Sequence, residues 1–159
     1  MTINVKIFLA AGLFLTACQH PGNTSKTPEA DSPVHKTVRG EVPYKVLEHY
    51  FLKNTATGQA VPAKITSKEV FEKLFGAAAT MKGRPTPVHF EQEYVVAVVK
   101  QETDTATLLI PVSLQRSSSG DMTFSYINRR SDRQSFSIRP ILLIAVDRTE
   151  QGNIRLKEH

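Results

Sequence analysis

Apolar residues in this chain come in short blocks separated by turn-forming residues, and the spacing within each block predicts its structure. Residues 94–101 (YVVAVVKQ) are almost continuously apolar, the mark of a central strand buried on both faces. Residues 137–147 (SIRPILLIAVD) are strongly apolar after Pro140 and read as a further strand. Residues 122–128 (MTFSYIN) alternate, with Met122, Phe124 and Tyr126 on one side, as a half-buried strand does. Residues 106–115 (ATLLIPVSLQ) alternate in part, and Pro111 predicts a bulge or an edge position, because proline cannot donate to a ladder. Earlier in the chain, 44–52 (YKVLEHYFL) reads as a strand closed by the turn residues 55–58, with a second short candidate at 59–65. Residues 153–157 form a last one.

Between these blocks one stretch has helical spacing. Thr66 as N-cap and Glu69 three residues on predict a capping box. Val70, Phe71, Leu74 and Phe75 then fall on one face, and Gly76 is placed to stop the helix in the left-handed conformation. The following 81–90 (MKGRPTPVHF) is a loop, because two prolines bar a regular element. Short connections favour antiparallel pairing. The expected class is α+β: one short helix on a mainly antiparallel, meandering sheet, curled toward a sandwich or barrel.

The first residues follow a different pattern. Residues 7–17 (IFLAAGLFLTA) form an uncharged apolar run behind Lys6, too short for a membrane span of roughly 20 residues but of signal-peptide length. Leu15-Thr16-Ala17-Cys18 has the form of a bacterial lipobox. Small residues fit a narrow protease cleft, and the Cys18 thiol takes a lipid as thioether. Cys18 is also the sole cysteine of the 159 residues. That excludes an intrachain disulfide and any cysteine cluster for zinc or iron–sulfur. Residues 19–40 are rich in Pro, Gly, Ser, Thr and charge, and cannot bury enough apolar area to offset ordering entropy. The expected organisation is a signal peptide at 1–17, a lipidated N-terminus and flexible tether at 18–40, and a single α+β domain at 41–159. A 22-residue coil would reach about 25–30 Å. The expected location is the cell envelope, anchored by lipid. Gln19 in place of aspartate leans toward the outer membrane, facing the periplasm, if the source is Gram-negative.

Phe71-x-x-Leu-Phe-Gly76, then Phe90-Glu91-x-Glu93, Val95-Val96-Ala97-Val98-Val99 and Arg139-Pro140-Ile-Leu-Leu-Ile144 together resemble the C-terminal domain of the PrcB family. These are lipoprotein subunits of bacterial surface protease complexes. The resemblance covers about residues 70–148. It implies an accessory role on a protein partner, with no catalysis of its own. The chain departs from the family at Thr105-Ala106-Thr107-Leu108, where a Gly-Gly-aromatic step usually opens the strand.

Charge and composition add little to the fold but sharpen the site. Lys plus Arg is 20 against 15 for Asp plus Glu, a net +5. Arg129, Arg130, Arg133 and Arg139 crowd together with Asp132 as the one acid among them, and the first three are expected in a connector at 128–135. Arginine forks bond carboxylates and phosphates bidentately, so this loop is the leading binding candidate of the chain, set against the commoner reading of such a stretch as a solvated charged turn. Lys82 and Arg84 on the proline-stiffened loop are a second candidate. His49 and His89 are 40 positions apart and lack the spacing of a metal pair. Ser117–Ser119 form a turn without a nucleophile elbow. The pairs Glu91/Glu93 and Glu102/Asp104 read as solvated strand ends. No catalytic residue, metal or cofactor is expected, and a lipid anchor outside the cytoplasm argues against nucleic acid. The expected function is a non-enzymatic accessory subunit, held on the membrane through its lipid and binding an envelope or secreted protein. The alternative is a small-ligand, glycan or lipid-binding envelope module, with a cavity near Phe124, Tyr126 and the arginines.

Overall fold

A computed structural model of the chain describes residues 40–78 and 83–159. The leader, Cys18, nearly all of the tether and Lys82 lie outside the described residues. In chain order the elements are β1 (Lys45–Leu47), β2 (Tyr50–Leu52), a 3-10 turn (Asn54–Ala56), β3 (Lys64–Ile65), α1 (Lys68–Leu74), β4 (Phe75–Ala77), β5 (Glu93–Val99), β6 (Thr103–Arg116), β7 (Met122–Ile138), β8 (Ile141–Asp147) and β9 (Ile154–Glu158). The class is α+β, dominated by antiparallel sheet with one short helix.

β5 and β8 lie at the centre. They pair antiparallel along their whole lengths, from Glu93 opposite Asp147 to Val99 opposite Ile141. β1 flanks β8 and β3 flanks β5, giving the order β1-β8-β5-β3. Alternate residues serve two cores. Tyr94, Val96 and Val98, with Leu142, Ile144 and Val146, pack against Leu114, Met122 and Phe124 of a second sheet, ordered β6-β7-β9. The opposite face, Val95, Ala97, Leu143 and Ala145, packs on Phe71 and Leu74 of α1 and Phe75 of β4. A strand covered on both faces has no polar position to spare, which is why these two read as unbroken apolar runs. Each buried Val or Ile contributes roughly 1.5–3 kcal/mol relative to exposure.

Several local expectations need correction. The stretch 44–52 is not one strand. His49 takes φ 62° and breaks it, so β1 joins the central sheet while β2 pairs with β4. Of 59–65 only Lys64–Ile65 is strand, on the edge of β5. The helix is capped by Ser67 rather than Thr66. Its hydroxyl accepts from the Val70 N–H at 3.4 Å and donates to Glu69 at 2.5 Å, so the same local chemistry operates one residue later. Gly76 does not stop the helix in a left-handed turn. Phe75 already leaves it in extended conformation, and Gly76 sits in β4 against the Phe51 ring, where a Cβ would lie 2.4 Å from the ring. Val70 is exposed, whereas Phe71 is stacked between Tyr50, Phe75 and Phe90 at centroid distances of 5.2, 5.3 and 5.4 Å. The loop 83–92 therefore packs Val88 and Phe90 onto the helix-side core.

One pairing departs from the antiparallel expectation. β9 runs parallel to β7, Met122 opposite Ile154 and Tyr126 opposite Glu158. The connection through β8 makes this possible, because the chain crosses to the central sheet and returns. Pro111 lies at a register shift on β6, so both of its expected roles, bulge and edge, hold together.

Candidate functional site: the β6–β7 ribbon and the cavity at its base

The largest correction concerns the arginines. The expected connector at 128–135 is not a loop, because β7 continues through it to Ile138. Arg129 faces Leu108, Arg130 faces Thr107 and Arg133 faces Thr105 across the β6–β7 ladder. Between Thr107 and Thr103 the register slips twice: Thr107 to Thr105 runs opposite Arg130 to Arg133, and Thr105 to Thr103 opposite Arg133 to Ile138. Bulges of this kind increase twist and re-aim side chains. Polar, Arg- and Ser-rich sequence can be strand here because it lies on an antiparallel partner without a core face to fill.

β9 accompanies β7 only as far as Tyr126, with one further bond from the His159 N–H to the Tyr126 carbonyl. The outer edge of β6 meets residues 40–42 only near its end, through Leu114, Gln115 and Arg116. The start of β6 and the end of β7 thus form a two-stranded ribbon whose outer edges have no strand partner among the described residues. Alternation assigns its faces. Ile127 and Arg129, opposite Ile110 and Leu108, face away from the core, while Asn128 and Arg130 continue the face of Phe124 and Tyr126. Leu108 and Phe136 are each 58% exposed, unusual for large apolar side chains on a ribbon. Phe124 and Tyr126 themselves are buried in the core, so their rings are not offered to an open cavity.

The arginines divide into two kinds. Arg133 bonds Asp104 through Nε at 2.9 Å and Nη2 at 2.5 Å, and Arg139 bonds Glu102 at 3.1 Å. The acids expected as solvated ends are therefore the partners of half the cluster. The side chains of Arg129 and Arg130 have no ion pair or hydrogen bond among the described residues. Arg84 is exposed on the helix side, in the segment beside β1 and β2, so the structure does not bring it to the other arginines.

At the ribbon base a polar network holds β5, β7 and β9 together. Glu158 is bonded by Lys100, by Asn128 Nδ2 at 2.8 Å and by the Tyr126 hydroxyl at 3.2 Å. The Lys100 and Asn128 donors hold the Glu158 carboxyl down to about 2, and Glu158 in turn raises the Lys100 ammonium. Beside the network lies a cavity of 390 Å³, lined by Lys100, Gln101, Thr103, Thr107, Asn128 and Arg130. A second, of 510 Å³, opens where β3 ends and leaves the edge of β5 uncovered, between Val61, Val99 and Leu156. Residues 100–102 line both.

Sequence reading missed Lys100, Asn128 and Glu158. Only the parallel return of β9 sets Glu158 beside Asn128, and no local pattern encodes that. Elsewhere the polar groups serve structure. Glu93 bonds Lys45 and the His89 N–H, and Ser117 closes the β6–β7 turn through the Asp121 carbonyl. Among the described residues no group of His, Cys, Asp and Glu is arranged to hold a metal ion. No helix among them is long and apolar enough to cross a membrane.

No known family model matches the chain, and neither a curated protein nor a solved structure matches it.

Proposed function

We propose that the chain is a lipid-anchored envelope protein that works as a non-catalytic, protein-binding accessory subunit, with the β6–β7 ribbon as its contact. The lipobox at Cys18 supports the anchor, and the resemblance of residues 70–148 to PrcB-type subunits supports the accessory role. The observation that carries the contact is the ribbon itself: open strand edges, exposed Leu108 and Phe136, and the unpaired Arg129. Isolated two-stranded ribbons are marginal in water. One that keeps large apolar groups exposed gains stability when a partner adds to its edge or covers its face.

The test is site-specific photocross-linking in intact envelope, with the cross-linker at Leu108 or Phe136 and, as control, at Glu72 on the exposed face of α1. One dominant protein adduct from the ribbon positions, lost when Arg129 is changed to Ala, supports the reading. Adducts from Glu72 but none from the ribbon overturn it.

A further inference from the structure

We propose that the 390 Å³ cavity at the ribbon base binds an acidic sugar unit, with its one anionic group on Arg130 and its hydroxyls on Thr103 and Thr107. The site stands apart from the outer face assigned to the protein partner, because Arg130 and Arg129 lie on opposite sides of β7.

Charge decides the first half of the ligand. Lys100 is neutralised by Glu158, and Glu102, which also lines the cavity, by Arg139. Arg130 is the one lining charge with no partner, so the cavity favours a single negative group, carboxylate or phosphate. A guanidinium fork binds either through paired N–H donors.

The remaining polar atoms decide the second half. Thr103 Oγ1 accepts from the Thr105 N–H at 3.1 Å, which leaves its own O–H to donate. Thr107 Oγ1 donates to the Thr105 carbonyl at 2.9 Å, which leaves its lone pairs to accept. Asn128 spends its Nδ2 on Glu158, and that bond fixes the amide, since the reverse would set its oxygen against a carboxylate. Its Oδ1 is buried without a partner. It has no accessible surface, so Asn128 forms part of the wall and the two threonines carry the hydroxyl contacts. Donors and acceptors side by side match a sugar, whose hydroxyls are both. The volume is in the low part of the roughly 300–1,000 Å³ range of small-ligand sites, room for a small saccharide.

Isothermal titration of the full chain, purified in detergent, with galacturonate, glucose 6-phosphate, glucose and sodium sulfate tests this. The two acidic sugars separate a carboxylate from a phosphate ligand, and binding of either supports the site. Glucose should give no heat at the same concentrations. Arg130→Gln should weaken the binding about tenfold or more, as loss of a charge-assisted bond does. Thr107→Val should weaken it about threefold, and Arg129→Gln should leave it within about twofold. Circular dichroism confirms that each variant is folded. Sulfate binding as tightly as the sugars would reduce the cavity to a simple anion site and overturn the proposal. So would equal losses in Arg129→Gln and Arg130→Gln, or no heat from either acidic sugar. None of these outcomes bears on the cross-linking result, so the two readings fail separately.

Discussion

The central pair β5–β8 and the outer half of β7 are both extended antiparallel strand, yet they are built on opposite terms. Val95, Val96, Ile144 and Val146 are all but inaccessible, because one sheet covers one face and α1 with β4 covers the other. Arg129, Ser131, Asp132 and Arg133 are exposed on a stretch of β7 that has only β6 beside it among the described residues. β7 itself spans the contrast, since Phe124 is fully buried and Phe136 is 58% exposed twelve positions later. Stability is concentrated where both faces are packed, so the ribbon can change its side chains with little effect on folding. That separation is what a binding surface requires.

The comparison can be broken most severely at its packed end. Ile144→Ala removes a side chain with no accessible surface and should cost about 3 kcal/mol in denaturant unfolding, the usual range for such a cavity. A cost as small as that of a ribbon mutation would mean that the two regions are not energetically distinct. Gly152→Ala comes next, at roughly 2 kcal/mol. Gly152 has φ 142°, and a Cβ there would lie 2.3 Å from the Gly120 carbonyl oxygen, backbone that cannot swing aside. Gly76→Ala should cost less in the same assay, because its obstacle is the half-exposed Phe51 ring, which can move.

Acid titration probes the junction between the two regions. The Glu158 carboxyl is lowered from 4.5 to about 2 in the fold, so it contributes stability above 4.5 that fades as pH falls from there toward 2. The pair is partly exposed, so the loss is modest. Glu158→Gln should flatten that portion of the stability–pH curve, and an unchanged slope would mean that the network is not coupled to folding. The smallest effect belongs to the ribbon. Changing Arg129, Arg130 and Arg133 together to Ala should shift unfolding by less than about 1 kcal/mol, since the one ion pair removed is exposed, while abolishing the cross-linked adduct. A large loss of stability would make these arginines structural.

Much of the fold was legible in the residues. The run at 94–101 announced a buried central strand and that at 137–147 a further strand, while helix, turn at 117–120 and bulge at Pro111 followed from local chemistry. The cap was misplaced by one residue because Thr66 and Ser67 are equally able to cap, and packing of Phe71 rather than Val70 chose between them. The site was legible only as a list of arginines. Arg-Arg-Ser-Asp-Arg has no apolar alternation, so it reads as loop, and strand propensity depends on the neighbouring strand more than on the segment itself.

The sequence by itself determined the α+β class, one doubly buried strand at its centre and the unusual concentration of arginine, because hydrophobic period and charge are local properties of the chain. Tertiary structure alone decided which arginines are free and what surrounds them. Asp104 claims Arg133, Glu102 claims Arg139, and a parallel β9 carries Glu158 to Lys100 and Asn128. Those partners are 29 to 58 positions apart in the chain, and only the register of strands brings them within reach of a hydrogen bond.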